Sequence, residues 1–348
     1  MEHSRNPNGG LPNRGAGTPD TGNAKRPSVR HIEIGPDNDG QRIDNFLISV
    51  FKTVPRSLVY RLLRTGQVRV NKGRIKPAFR LSEGDSVRIP PVTVPERQAA
   101  RVPKSVIEAL RSSIIAEEPH WIVINKPAGI ASHGGTGLEF GVIDAVIELF
   151  EEKSISLVHR LDKSTSGVMV LARSRVASVH FQQCMKERRV SKHYAALLCG
   201  ALKKSRTVTA RLLKTHPTPN ENRVIIDTQD GKEAISHFHS RTVGPHFTLA
   251  DIEIETGRTH QIRVHGASIG HPVLGDERYG REKINRQQRS RGVKRMFLHA
   301  RSIEFPELGD KSVHSDQGDT EAQVSSDGDC RKFSAAFDPE WLDVLNAE

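Results

Sequence analysis

Residues 159–168 of this 348-residue chain read His159-Arg160-Leu161-Asp162-Lys163-Ser164-Thr165-Ser166-Gly167-Val168. Asp162 stands between two cations, Arg160 and Lys163, at the start of a turn rich in hydroxyl groups and glycine. Cationic neighbours favour the ionised form of a carboxylate. An ionised, positioned carboxylate can act as a nucleophile or as a base, so Asp162 is the first candidate catalytic residue. The ordinary alternative is an aspartate that only caps a turn or a helix.

The composition favours a polyanionic partner. Lysine and arginine total 52 against 41 acidic residues, which gives a net charge of +11. Such a surplus is typical of proteins that bind nucleic acid or anionic membranes. No apolar stretch approaches the ~18 to 20 residues that a membrane helix requires, so we expect no membrane partner. Cys184, Cys199 and Cys330 have no metal-ligand spacing, which predicts a reduced, cytoplasmic protein without a disulfide framework.

The length allows two domains with tails. The N-terminus is rich in Asn, Gly, Pro and Arg and has no hydrophobic core of a signal peptide, which predicts a disordered basic arm. Prolines then mark a stiff linker, and an excess of Ser, Asp and Gly marks a disordered insertion near the C-terminus. The predicted segments are the arm at 1–28, a first domain at 31–91, a linker at 92–111, a second domain at 112–306, the insertion at 307–332, and a segment at 333–348 that packs on the second domain.

The first domain combines a basic helix with a basic strand. Apolar residues recur at helical spacing in residues 56–64, and Gly66 is suited to end that helix. The segment Val68-Arg69-Val70-Asn71 alternates as a short strand. Basic residues off the apolar stripe could grip phosphates, although a solvated helix face would look the same. The candidate phosphate contacts are Arg56, Arg61, Arg64 and Lys72.

The second domain is predicted to be α+β with a mixed, mainly antiparallel sheet, because short strands alternate with turn clusters and a few helices. The clearest helix candidate spans Ser174 to Glu187. The alternation in Gln261-Ile262-Arg263-Val264 predicts a strand that directs Gln261 and Arg263 to one face. The candidate strands include Val168–Ala172, His193–Leu198, Ile235–Arg241, Phe247–Glu255 and Phe297–Phe305.

Several separated motifs resemble those of the pseudouridine synthases of the ribosomal large-subunit type, in that family's order. The residues before Pro91 resemble the S4-type RNA-binding module, with its helix, its Gly66–Asn71 segment and its Glu83-Gly84-Asp85 turn. The resemblance implies a pseudouridine-synthase catalytic domain behind a small S4-like α/β domain. Besides residues 159–167, the motifs are Asn125–Gly129, Lys192–Leu197, Thr256–His265, His271–Asp276 and Phe297–Ala300.

The resemblance implies an isomerase that converts uridines of large-subunit (23S) ribosomal RNA to pseudouridine. Uracil is detached at N1, turned and rejoined to the ribose through C5, so no cofactor or metal is required. The implied catalytic residue is Asp162, acting on either the sugar or the base. The family's arginine forms a salt bridge with this aspartate, and Arg263 matches it; a guanidinium can hold a carboxylate by two parallel bonds. The expected partner is 23S rRNA or a pre-ribosomal particle, bound by a monomer.

The resemblance assigns further roles around the target base. Tyr194 matches the tyrosine that stacks on the base, although a core tyrosine is the ordinary alternative. A base inside a helix must be extruded at a cost of a few kcal/mol, and Arg160 matches the arginine that occupies the vacated space. We also expect Asn125 and Lys126 to contact RNA, and the turn at 126–129 to shape the cleft.

Other chemistries match the sequence less well. His260, His265 and His271 lack metal-ligand spacing, so we expect no metal and assign them to hydrogen bonding in the sheet. Residues 164–167 lack the glycine-x-serine-x-glycine turn of serine hydrolases. Two alternatives remain open, a non-catalytic binder in ribosome assembly and a hydrolase that uses Asp162 to activate water.

Overall fold

A computed structural model divides the chain into two compact units, Met1–Ala99 and Ala100–Glu348. The predicted N-terminal arm, the first part of the predicted linker and most of the predicted insertion lie outside the described residues. The structure describes residues 28–51, 54, 56–92, 102–134, 139–218, 221–309 and 330–346.

The first unit packs two helices against a three-stranded antiparallel sheet with the order β1-β3-β2. The helix predicted at 56–64 is confirmed as α2, and Gly66 after it has φ +69°, a left-handed conformation that glycine adopts at little cost. Ile43, Leu47 and Val59 are buried between the layers. The elements are β1 (Arg30–Glu33), α1 (Ile43–Phe51), α2 (Arg56–Arg64), β2 (Arg69–Val70) and β3 (Ser86–Ile89).

The second unit is the α+β domain with a mixed, mainly antiparallel sheet that the sequence predicts. Its elements are α3 (Lys104–Arg111), β4 (Ile114–Glu117), β5 (Trp121–Lys126), α4 (Val142–Phe150), β6 (Ser156–Leu157), β7 (Ser166–Ala172), α5 (Arg175–Lys186), β8 (Ser191–Cys199), β9 (Arg206–Thr218), β10 (Glu221–Ile226), β11 (Lys232–Val243), β12 (Phe247–Ile254), α6 (Gln261–Ser268), α7 (Glu282–Ser290), β13 (Leu298–Pro306), β14 (Cys330–Ser334) and α8 (Glu340–Asn346).

One large sheet forms the centre of the second unit. Its strand order is β10-β9-β11-β12-β8-β13-β7-β5-β4, with β14 paired to β13 and β6 paired to β7. The pair of β13 and β7 is parallel, and its neighbours in the sheet are antiparallel. Gly167 makes this pair possible, because a Cβ there would lie 2.2 Å from the Ala300 carbonyl oxygen. Residues 159–165 lead directly into β7, the strand that pairs with β13 at this glycine.

The prediction of a strand at residues 261–264 is wrong. These residues begin helix α6, in which Gln261 to Gly266 are all buried. A helix that is buried all round shows no 3.6-residue periodicity, so the apparent alternation was accidental. Gln261 and Arg263 therefore do not share a strand face. The Gln261 carboxamide instead holds the preceding turn by accepting the N–H of Arg258 at 3.0 Å.

Two predicted boundaries also differ from the structure. Helix α3 lies within the predicted linker at 92–111, and its Leu110 is fully buried in the core beside Val142. In the sequence, the apolar residues of α3 stand among charged residues, so the segment resembles a charged linker. Strand β14 begins at Cys330, inside the predicted insertion, and pairs with the end of β13. Phe333 of β14 and Trp341 of α8 are buried in the second unit.

Candidate active site

The loop that carries Asp162 is held on both sides. Ser132 Oγ donates to the Leu161 carbonyl oxygen at 2.7 Å and accepts the Leu161 N–H at 3.1 Å. The Gly129 N–H donates to the Lys163 carbonyl oxygen at 2.8 Å. The backbone on either side of Asp162 is therefore fixed before any ligand binds, which is the condition for precise placement of a reacting group.

His159 anchors the start of the same loop. Its Nε2 accepts the Val170 N–H at 2.9 Å, and its ring stacks on Phe181 with the centroids 5.9 Å apart. Burial lowers the pKa of His159 to about 4, and the charge of Lys192 acts in the same direction, so the ring is neutral and can accept this bond. His159 consequently supports the start of the loop that carries Asp162.

Asp162 and Arg263 form the expected ion pair, but through one hydrogen bond and not through two parallel ones. Arg263 Nη1 donates one hydrogen bond to Asp162 Oδ2 at 3.0 Å. The fork of the guanidinium is directed to Asp276, with Nε–Oδ2 at 2.7 Å and Nη2–Oδ1 at 2.9 Å. Within the described residues the Asp162 carboxylate thus pairs with Arg263 and caps no helix.

Asp276 is the anchor of this arrangement. Its side chain is fully buried, whereas 28% of the Asp162 side chain is exposed. Burial alone would raise the pKa of Asp276, but the hydrogen bonds and charge of Arg263 and the N–H groups of Tyr279 and Arg278 outweigh it, so the pKa is lowered. A charged Asp276 fixes the guanidinium, which in turn directs one N–H at Asp162.

Tyr194 lies beside Asp162. Both line a cavity of about 90 Å³, and Arg160, Arg258 and His260 line it as well. Burial and, secondarily, the negative charge of Asp162 raise the pKa of the Tyr194 phenol, which therefore stays protonated. The tyrosine presents an aromatic ring and a neutral hydroxyl group to the space in front of the carboxylate.

A second, larger cavity of about 920 Å³ shares Asp162, His260 and Arg263 with the first. Its lining contains six cations and two carboxylates. The excess of positive charge is suited to a polyanion. The charged lining residues are Asp162, Lys163, Arg223, Arg263, Glu277, Arg278, Lys294 and Arg295.

His260 lies close to the Asp162 carboxylate, which the sequence did not predict. Its Nε2 is 3.7 Å from Asp162 Oδ2, and its Nδ1 is 2.8 Å from Tyr279 Oη. Burial lowers the pKa of His260 to about 4 despite the opposing charge of Asp162. The assignment of His260 to hydrogen bonding within the sheet is therefore wrong, although His265 does bond Ser236 of β11 at 3.0 Å.

The prediction that Lys126 contacts RNA is wrong. Lys126 is fully buried, and its Nζ donates to the carbonyl oxygens of Pro127, Ile130 and Lys163 at 2.8, 2.7 and 3.3 Å. Burial lowers its pKa to about 7 against the opposing charge of Asp162. Three acceptors match the three donors of an ammonium group. Lys126 thus organises the turn behind the Asp162 loop, while the half-buried Asn125 lies on β5 opposite Val168.

The remaining predicted RNA contacts lie on accessible surfaces. Arg160 is exposed at the mouth of the small cavity. In the first unit, Arg61, Arg64 and Lys72 are exposed, and Arg56 is the first residue of α2. No group of three or more His, Cys, Asp or Glu in the described part of the chain could hold a metal ion. Likewise, none of the described helices is long and apolar enough to cross a membrane.

Comparison with known proteins identifies the family. A family model described as RNA pseudouridylate synthase matches residues 120–268, and the S4 domain model matches residues 41–87. Ribosomal large subunit pseudouridine synthase C of Haemophilus influenzae is 43% identical over 282 residues, which cover 80% of this chain and 87% of that protein. The chain belongs to the pseudouridine synthase family. It is an isomerase that forms pseudouridine.

A further relative and a solved structure are also similar to the chain. The Escherichia coli protein named ribosomal large subunit pseudouridine synthase C is 43% identical over 293 residues, or 82% of this chain and 92% of that protein. The solved structure of human RNA pseudouridylate synthase domain containing 1 is 28% identical and covers 57% of this chain and 80% of that chain, with a TM-score of 0.49.

Sequence reasoning missed three residues at the candidate site, namely Asp276, Tyr279 and the position of His260 next to Asp162. The motif His271–Asp276 marked the region without indicating a role. The sequence contains no signal for this role, because the burial of Arg263 and the direction of its guanidinium fork follow only from the structure. A buried guanidinium needs more than one acceptor, and Asp276 supplies the acceptors that Asp162 does not.

Proposed function

We propose that this synthase converts uridines of large-subunit (23S) ribosomal RNA to pseudouridine, with Asp162 as the catalytic carboxylate. The observation that carries the proposal is the Asp162–Arg263 pair at 3.0 Å, placed where two basic cavities meet beside Tyr194. The names of the relatives support ribosomal RNA as the substrate.

The proposed reaction needs three groups at one place. The target nucleotide leaves its helix and enters the small cavity, and Arg160 at the mouth occupies the space left behind. Tyr194 stacks on the uracil and offers a protonated hydroxyl group near C5. Asp162 either attacks C1′ and displaces N1 of the uracil, or removes the C2′ proton so that N1 leaves. The uracil turns, and C5 bonds to C1′ as the bond to Asp162 breaks or the C2′ proton returns. The C5 proton then passes to solvent, and N1 takes up a proton. A non-catalytic binder would have no use for a buried Asp276 that directs Arg263 at Asp162.

The direct test uses full-length protein and 23S rRNA transcript labelled with tritium at C5 of uridine. Bond formation at C5 must release that tritium, so we expect release in stoichiometric proportion to the pseudouridines formed. Small-subunit rRNA transcript is the matched control and should release none. Pseudouridine mapping in cells with and without the protein then identifies the positions. Binding of 23S rRNA without any release would favour the non-catalytic alternative.

We also propose that the first unit grips RNA phosphates. Arg61, Arg64, Arg74 and Lys76 line a groove of about 540 Å³ beside the half-exposed Tyr60. These basic residues lie on one surface of the unit, as phosphate binding requires. Such a grip acts on any sequence, so it would supply affinity while the catalytic domain selects the uridine.

We further propose that the conversion of uridine to pseudouridine is carried out by a monomer in the cytoplasm.

Replacing Arg61 and Arg64 together by Gln should reduce the slope of log affinity against log salt by about 1.5, because two phosphate contacts are lost. The measurement is rRNA binding at several salt concentrations. The exposed pair Lys203 and Lys204 of the second unit, also changed to Gln, removes the same charge and should leave the slope nearly unchanged. Equal slopes for both variants would show that the groove makes no specific phosphate contacts.

A further inference from the structure

His260 lies between Asp162 and the hydroxyl group of Tyr279, and it lines both cavities of the site. Its backbone has φ +54°, a left-handed conformation that is uncommon for residues other than glycine, although histidine adopts it more often than most. Disfavoured backbone of this kind persists where the surrounding structure fixes it, and it is concentrated at functional sites. The position of the imidazole is therefore imposed by its neighbours.

The hydrogen bonds of Tyr279 match the tautomer of His260 that carries its proton on Nε2. Tyr279 Oη accepts the Val224 N–H at 2.8 Å, so its own hydrogen can be donated to His260 Nδ1 at 2.8 Å. Since burial lowers the pKa of His260 to about 4, the ring is neutral near pH 7 and has one N–H. With Nδ1 as the acceptor, that N–H is on Nε2, the ring nitrogen that lies 3.7 Å from Asp162 Oδ2.

One turn supports both neighbours of Asp162. The Asp276 side chain accepts the N–H groups of Arg278 and Tyr279 at 2.9 and 3.1 Å, which closes the turn. From this turn Asp276 holds Arg263, and Tyr279 holds His260. The two pairs are also in contact with each other, because the Arg263 guanidinium lies 5.1 Å from the centroid of the Tyr279 ring. The turn that contains Asp276 and Tyr279 therefore orients both Arg263 and His260.

We propose that His260 is a positioning residue for Asp162, and that Tyr279 fixes the tautomer and orientation of its ring. The proposal rests on the catalytic role proposed above for Asp162. Arg263 gives Asp162 only one hydrogen bond, about which the carboxylate can still rotate. His260 Nε2 lies 3.7 Å from the same oxygen, Oδ2, which is longer than a hydrogen bond, so an N–H there acts on the carboxylate as a dipole. Both contacts are to Oδ2, so Oδ1 is the oxygen that we assign to the nucleoside.

Two substitutions at His260 distinguish the effect of losing the N–H donor from the effect of the left-handed backbone conformation. Asparagine tolerates the left-handed conformation better than histidine does, but its short amide cannot place a donor where Nε2 lies. Glutamine places its amide nitrogen close to that position. We expect His260→Asn to lower the single-turnover rate of tritium release from 23S rRNA transcript by about 10- to 100-fold, which is the scale of a misplaced reacting group. His260→Gln should stay within about threefold of the wild type, a spread typical of one retained contact.

Tyr279→Phe provides an independent readout, because it removes the hydroxyl group and keeps the ring beneath Arg263. It should lower the rate by about 10-fold in the wild type and add nearly nothing in the His260→Asn protein, since residues of one network are not additive. The dissociation constant for rRNA should be unchanged in all three variants, which a general loss of structure would not allow.

The same series includes Asp162→Asn, so that two failures can be told apart. If Asp162→Asn stays active, the catalytic assignment is wrong and the positioning role falls with it. If Asp162→Asn is inactive while His260→Asn keeps the wild-type rate, only the positioning proposal is overturned. Equal losses of rate in His260→Asn and His260→Gln would also overturn it, provided that thermal unfolding curves show both proteins to be folded.

Discussion

Asp162→Asn protein is expected to bind ribosomal RNA as tightly as the wild type and to form pseudouridine at least about 10³-fold more slowly, because the reacting carboxylate is lost. The substitution keeps the size of the side chain and an oxygen for the Arg263 N–H at 3.0 Å, so the loop and the ion-pair partner stay in place. Rate and affinity are therefore separable. Tritium release under single-turnover conditions measures the first, and filter binding of the same transcript measures the second.

The control for this experiment is Asp230→Asn, which removes an equal charge from an exposed turn of the same unit. It should behave as the wild type in both assays. Undiminished tritium release by Asp162→Asn would remove Asp162 from the mechanism. A fall in affinity that accounts for the whole loss of rate would instead make Asp162 a binding residue.

Local patterns in the sequence were sufficient for much of the fold. The candidate strand at Val168–Ala172 and the candidate helix at Ser174–Glu187 differ from β7 and α5 by at most two residues at either end. An apolar run or a helical stripe fixes such elements, and Ser174 caps α5 by accepting the Ala177 N–H at 3.1 Å. The pairing of Asp162 with Arg263, 101 residues apart, came from the family resemblance and not from any local pattern.

Other features depend on tertiary contacts that no local pattern encodes. In helix α6, polar and apolar residues are buried alike from Gln261 to Gly266, so burial does not follow the polarity of the sequence, and the alternation of Gln261 to Val264 was mistaken for a strand. Lys126 resembled a surface cation, but three carbonyl groups of nearby turns surround its ammonium group. The role of Asp276 required knowledge of where the Arg263 fork points, which depends on how α6 packs against the turn at 275–280.

The second large effect is expected from Asp276→Asn, which should lower the free energy of unfolding of the second unit by about 3 kcal/mol. The reason is that removing one charge of a buried pair leaves the other without full compensation. The Asp276 and Arg263 side chains are 0% and 9% exposed, so water cannot replace the lost charge. For a domain of this size the loss corresponds to a melting temperature lower by about 6–12 °C. The guanidinium also loses its fixed direction, and the rate should fall by about 10- to 100-fold at temperatures where the variant is fully folded.

The pH dependence of stability distinguishes this ion pair from simple packing. The pKa of Asp276 is lowered in the folded protein, so its contribution is fully present above the unfolded value of about 4. The contribution is lost as the pH falls below that value towards the folded pKa. The stability difference between wild type and Asp276→Asn should therefore be constant above about pH 5 and shrink as the pH falls below about 4. Chemical denaturation at a series of pH values measures it, with Asp230→Asn as the exposed control. A difference that persists unchanged at low pH would mean that the shape of Asp276, and not its charge, holds Arg263 against Asp162.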